Sequence, residues 1–292
     1  MVKYQTTTIM KNLGLTKSQE NFLNRYTKGT WTYNPATGLV DVKGGFDCSD
    51  LGLEDFKGVR FGKVSGSFNC YRNNLTSLEG APQKVRGKFW CSENKLTSLE
   101  GGPQEVGGNF YCDNNNLTSL KGSPQKVRWS FQCCQNELTS LEGAPQEVGG
   151  DFMCYYNDQL TSLEGGPQVV GGDFDCQDPY IKLTSLAGAP QEVGGYFNCT
   201  KFKLEKGEWN VKGWLKVLKH RRPEARKLIL TLILHRAEAL NKEIQKDPAG
   251  MIMKLKEVWN DDGFKETRSK LVWPKGYEEE VELVGDLYGV GF

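Results

Sequence analysis

Histidine is almost missing from this chain: there are two in 292 residues, His220 and His235. No nucleophile–base motif, phosphate loop or metal-ligand spacing accompanies them, so nothing in the sequence points to catalysis, a cofactor or a metal. Net charge is nearly missing too. Lys and Arg number 37 against 36 Asp and Glu, which gives no global argument for nucleic acid or an anionic membrane. The longest apolar run, Leu228–Leu234 with one Thr inside, is far too short to span a bilayer. The opening MVKYQTTTIM has no apolar run, which predicts a cytoplasmic chain without a signal peptide. Cysteine is confined: none of the nine lies before Cys48 or after Cys199, and no C-x-x-C pair occurs.

What is present is repetition. LTSLEGAPQ stands at 75–83 and 138–146, LTSLEGGPQ at 96–104 and 160–168, LTSLKGSPQ at 117–125 and LTSLAGAPQ at 183–191. A Phe-x-Cys phrase recurs from Phe46/Cys48 to Phe197/Cys199, with Phe-to-Phe steps of 22, 21, 21, 21, 21, 22 and 23 residues. A fixed period near 21 predicts a solenoid, each unit burying its apolar side on its neighbours. Residues two apart in a strand share a face, so Phe and Cys point inward and the residue between them outward. Phe110-Tyr-Cys-Asp-Asn-Asn-Asn-Leu117 fits the L-x-L-x-x-N-x-L frame. Asn73, Asn94, Asn115, Asn136 and Asn157 take the Asn place, where an amide can satisfy backbone groups as the chain turns. Leu117 and Leu120 return to the core, and Gly122 and Pro124 bend the return arm.

The repeats resemble the short leucine-rich repeats of bacterial effectors. More closely, LTSLEGAPQ-x-VGG-x-FxC resembles repeat proteins encoded by tailed bacteriophages and some bacteria. The resemblance covers roughly residues 25–205 and implies a binding scaffold with no known ligand. Val106 stands four before Phe110, where the usual repeat has an apolar residue three before its first strand Leu, so the winding is expected to differ. Some such effectors carry a ubiquitin ligase domain with a Cys nucleophile; this tail has no Cys.

The fold expected is a leucine-rich-repeat-like repeat solenoid, with parallel strands and irregular return arms. Residues 1–45 form an N-terminal cap: a helix over Lys17–Tyr26 capped by Thr16, then a hairpin around Asn34-Pro35 with Gly38. About eight units fill 46–206, and 207–292 is a mainly helical cap. There Pro223 opens a helix to about Lys246, with the stripe Leu228, Ile229, Leu232, Ile233, Arg236, Leu240 and Ile244. Pro248 starts a second helix and 264–272 holds a third. The in-facing Cys read as small buried hydrophobes, while Cys134, following Cys133, is expected to face outward as a free thiol.

Function falls to the unrepeated letters. The outward strand positions read Asp47, Asn69, Trp90, Tyr111, Gln132, Met153, Asp175 and Asn198. The residues after Cys include Tyr71 and Tyr155, and Trp129 replaces a repeat Gly. Tyr71, Trp90, Tyr111, Trp129, Met153 and Tyr155 thus form a candidate patch for a protein partner, central aromatics with a polar rim. The first expectation is a non-enzymatic protein-binding solenoid. If the phage resemblance holds, it works in the host cytoplasm against a host protein, such as an antiviral defence component. The second is a nucleic-acid adaptor acting through the basic segment 212–227, with Lys216, Lys219, Arg221, Arg222 and Arg226 as contacts for an anionic ligand. Its bland alternative is a solvated helix face near Glu278–Glu280. The third is a self-associating structural part.

Overall fold

The computed structural model describes residues 14–199, 202–218, 223–259, 262–277 and 281. A helix, Lys17–Tyr26, opens it, closed by a capping box between Thr16 and Gln19. Strand Thr27–Asn34 follows and pairs antiparallel with Leu39–Asp47 through a turn in which Gly38 takes φ +70°. The second hairpin strand is also the first rung of the solenoid, since Phe46 and Asp47 pair in parallel with Phe68 and Asn69.

Each turn contributes two short strands, so two parallel ladders run the length of the protein. One carries the Phe-x-Cys phrase, from Phe46 to Phe197. The other carries a valine, through Val42, Val64, Val85, Val106, Val127, Val148, Val170 and Val193. This second ladder is the difference in winding that Val106 signalled. The four-residue step from Val to Phe puts a corner between two inward-facing residues.

The core is a column of phenylalanine rings, one per turn, with successive centroids 5.1–5.7 Å apart from Phe46 to Phe197. Strand spacing and ring stacking share nearly the same repeat, so one satisfies the other. Beside the rings run the repeat leucines, also fully buried. The thiols of Cys70, Cys91, Cys112, Cys133 and Cys176 each donate to a carbonyl of the next turn.

The asparagines do what a buried amide must. Asn115 Nδ2 donates to the carbonyls of Cys91 and Cys112 at 3.1 and 3.2 Å, and its Oδ1 accepts from Leu96 N at 3.0 Å. Asn94 and Asn136 repeat the pattern one turn away. The residue just before each of these amides holds a left-handed backbone without being glycine: Arg72, Glu93, Asn114, Gln135 and Tyr156, with φ between 51° and 55°. On the return arm Gly122 has φ +92°, and a Cβ there would lie 2.3 Å from Glu100 N.

Both ends of the column are closed by rings. Phe22 meets Phe46 edge-on at 5.4 Å, and Trp209 stacks on Phe197 at 4.1 Å. The last strand, Phe202–Leu204, turns back antiparallel on Phe197–Cys199. The tail then supplies helices Val211–Leu218, Pro223–His235, Ala237–Lys246, Pro248–Leu255 and Asp262–Arg268. The stripe from Leu228 to Ile244 is buried, but it is not one helix. The chain breaks at Arg236, whose φ is −127° and ψ 32°. The cause lies in the solenoid: Arg236 reaches the carbonyls of Ala189 and Pro190, with its guanidinium over the rings of Trp209 and Trp214. In earlier turns Leu120 N and Leu141 N donate to carbonyls of the next turn. At the end there is no next turn, and Thr231 Oγ1 accepts from Leu186 N at 2.9 Å instead.

Asn115→Ala leaves the buried Leu96 N without its acceptor and takes one of two amide donors from each of the Cys91 and Cys112 carbonyls, which keep Asn94 and Asn136, and is expected to cost about 2 kcal/mol. The exposed neighbour change Asn116→Ala should stay within about 0.5 kcal/mol; urea denaturation of the two variants checks this. Removing residues 207–292 takes away Trp209, Thr231 and Arg236 together. The shortened chain is expected to aggregate or lose cooperative unfolding, as seen by size-exclusion chromatography and thermal melting.

Candidate functional site

Outward positions between Phe and Cys line up in one row, because strand register pairs Asn69 with Trp90, Trp90 with Tyr111, Tyr111 with Gln132, Gln132 with Met153 and Met153 with Asp175. Each is half-buried by its neighbours. Trp90 and Tyr111 stack face to face, with centroids 5.5 Å apart and planes 8° apart. Lys88 Nζ lies 5.2 Å from the Trp90 ring centre, and Asn109 donates to the Tyr111 hydroxyl. Tyr71 donates its hydroxyl to Glu93 Oε1 at 2.6 Å, a bond that raises the phenol pKa. Around the stack lies a shallow depression of about 400 Å³, lined by Asn69, Tyr71, Trp90, Ser92, Glu93, Tyr111, Asp113 and Asn114.

Tyr71, Trp90, Tyr111, Met153 and Tyr155 therefore share a face, as their spacing predicts. Met153 stands two rungs from Tyr111, across Gln132, and Tyr155 lies beyond it in the next row. Trp129 stands apart, at the corner between the two ladders, and is 58% exposed. Tyr156 was missed by sequence reasoning. It packs edge-on against Tyr155 at 5.4 Å and is half exposed. Its place in the left-handed column, where the other repeats carry charged or amide side chains, is the signal that could have found it.

Cys134 corrects the expectation of an exposed thiol. It leaves the core after Cys133, yet it is 2% exposed. Asp113 Oδ1 accepts from its backbone N at 3.0 Å, and the Tyr155 side chain lies close to its sulfur. Burial pushes this thiol well up, pushes Cys48 up to about 12, and raises Asp113 as well.

Of the basic segment, Lys216 is described, and it is paired with Glu208 at 2.8 Å. Lys219, His220, Arg221 and Arg222 lie outside the described residues, as do Glu278–Glu280 and the side chain of Arg226. His235 Nδ1 lies 2.7 Å from the Thr231 carbonyl, within its own helix. Among the described residues no group of His, Cys, Asp and Glu could hold a metal ion, and no helix is long and apolar enough to cross a membrane.

All nine cysteines are expected to react slowly with a bulky disulfide reagent in the native protein, Cys134 no faster than the rest. With the thiol pKa raised at every cysteine from Cys48 to Cys176, increasing the pH to about 9 should give little thiolate and little acceleration at these eight. Denaturation should release all nine at once. A time course of thiol titration, with and without denaturant, measures this.

Among known proteins, no family model, no curated protein and no solved structure matches the chain.

Proposed function

We propose that the chain is a non-enzymatic protein-binding solenoid that takes a protein partner on the phenylalanine-ladder face. The observation that carries this reading is the Trp90–Tyr111 stack. Two large rings are held in place before any partner arrives, so little side-chain freedom is lost on binding, which suits interface anchors. The rings cover each other's faces, and Lys88 lies over Trp90. This leaves less open ring face than a lone aromatic has, with the Met153 thioether two rungs on from Tyr111. That suits a packed protein surface better than a sugar ring, which wants an open ring face. Asn69, Ser92, Glu93, Asp113 and Gln132 supply the polar rim. The resemblance to repeat proteins of tailed phages points to a host protein met in the host cytoplasm, such as a component of an antiviral defence system.

Capture from a lysate of the native host, followed by mass spectrometry, would name the partner, and titration of the purified pair would then test the site. Trp90→Ala and Tyr111→Ala, each shown to be folded, are expected to weaken binding by about 2 kcal/mol, roughly thirtyfold. Lys216→Glu should leave it unchanged. Full affinity in both aromatic variants would move the site off this face.

A further inference from the structure

The near-zero net charge conceals a local imbalance between the two strand faces of the solenoid. The phenylalanine-ladder face carries Asp47, Asp113, Asp151, Asp173 and Asp175; its cations include Lys88, Lys28 paired with Asp47, and Arg72 at the rim beside Asp50 and Glu93. On the valine-ladder face, outward positions carry Lys43, Lys63, Lys84, Arg86, Lys126 and Arg128. Two of these are spoken for, Lys84 by Glu105 and Lys126 by Glu147. Lys43, Lys63, Arg86 and Arg128 have no carboxylate partner among the described residues. The nearby Asp41 carboxylate accepts from the backbone N of Lys63 at 2.7 Å. A groove of about 440 Å³ lies over this cluster, lined by Thr30, Thr32, Ser65, Val42 and Val64 beside Asp41, Lys43, Lys63, Lys84 and Arg86.

Arg128 and Trp129 stand where the repeat resists a side chain. In the Arg128 column, a Cβ on Gly107 would lie 2.3 Å from the Arg86 carbonyl oxygen, and one on Gly149 2.1 Å from that of Arg128. In the Trp129 column, a Cβ on Gly108 would lie 2.7 Å from the backbone of Gly87. The local structure gives way: the valine ladder narrows here to the single pair Val106–Val127, while its neighbouring rungs hold two pairs. The bond from Gly150 N to the Trp129 carbonyl is 3.2 Å, against 2.9 Å from Gly108 N to Gly87. These two residues place a cation and an exposed ring next to each other at the edge of the basic face.

We infer that the valine-ladder face is a second binding surface, one for single-stranded nucleic acid, with phosphates on Lys43, Lys63, Arg86 and Arg128 and a base stacked on Trp129. This inference does not rest on the reading of the other face. Arg86 and Arg128 are two turns apart, about 10 Å at strand spacing, within reach of one extended strand. The outward side chains here are cations, hydroxyls, glycines and the carboxylates of Asp41, Glu105, Glu147 and Glu192, of which Glu105 and Glu147 are held by Lys84 and Lys126. The groove has an apolar lining, to which Val42 and Val64 contribute, but it is far smaller than the centre of a protein interface. A sugar–phosphate backbone wants cations, and its bases want a ring.

The test is fluorescence anisotropy of the full chain with a labelled oligothymidine of about twenty nucleotides. Binding is expected at low salt, with a log–log salt slope of about −3 for four phosphate contacts. Arg86→Glu and Arg128→Glu should each weaken it at least tenfold and flatten the slope, and Trp129→Ala should weaken it about fivefold or more, with Trp129→Phe recovering part. Lys43→Glu and Lys63→Glu, on exposed strand positions, stand in if an arginine variant misfolds. Lys216→Glu should change nothing. No binding at low salt overturns the inference, and so does binding that survives the charge reversals. Displacement by polyglutamate of matched charge, with Trp129→Ala neutral, also overturns it, in favour of an acidic protein.

Discussion

A turn of this solenoid cannot complete its own hydrogen bonding. Backbone donors and acceptors point along the axis and are buried, so each turn depends on the next one standing at strand distance. The Phe column and the asparagine amides both enforce that distance, the rings by contact and the amides by reaching back to the preceding carbonyls. The rest follows from it: the uniform period, the thiols spanning turns, and the need for something other than another turn at each end. The C-terminal end meets that need with side chains placed where backbone used to be, Thr231 for a carbonyl and Arg236 for backbone donors.

The same dependence explains why the left-handed column is not glycine. That conformation costs a non-glycine residue about 1 kcal/mol, and it recurs at Arg72, Glu93, Asn114, Gln135 and Tyr156. The asparagine that follows each one fixes the backbone regardless, which leaves a side chain standing at the rim of the phenylalanine-ladder face in every turn. Arg72 uses this to reach Asp50 and Glu93 at 3.5 and 3.7 Å, and Asn114 to reach Gln135.

Much of this was legible in the sequence because a repeat states its own grammar several times over. Phe110, Cys112, Asn115, Leu117 and Leu120 announce their roles by position alone, and Thr16 with Gln19 announces the first helix. What stayed hidden depended on neighbours in space. The valine strands are two residues long, too short to show an alternation. The shielding of Cys134 comes from Asp113 one turn before it and Tyr155 one turn after. The break at Arg236 depends on carbonyls more than forty residues earlier. The unpaired cations were hidden because Lys63 and Arg86 look like Lys84 in the sequence, and the register decides which of them meets a carboxylate. The candidate site was legible as a row, from alternation and period, but the stacking of Trp90 on Tyr111 required their register.

The narrowed rung beside Trp129 gives the rod a seam. In a stack whose units touch their neighbours alone, stability is close to a sum of interfaces, and the weakest interface decides where the stack parts. Between the turns of Val106 and Val127 the phenylalanine ladder is intact while the valine ladder keeps one pair. That interface holds fewer backbone pairs than its neighbours, and it lies between an N-terminal block closed by Phe22 and a C-terminal block closed by Trp209. Its aromatic row crosses that seam, with Trp90 and Tyr111 on one side and Met153 on the other, so a partner that spans the row also splices the two blocks.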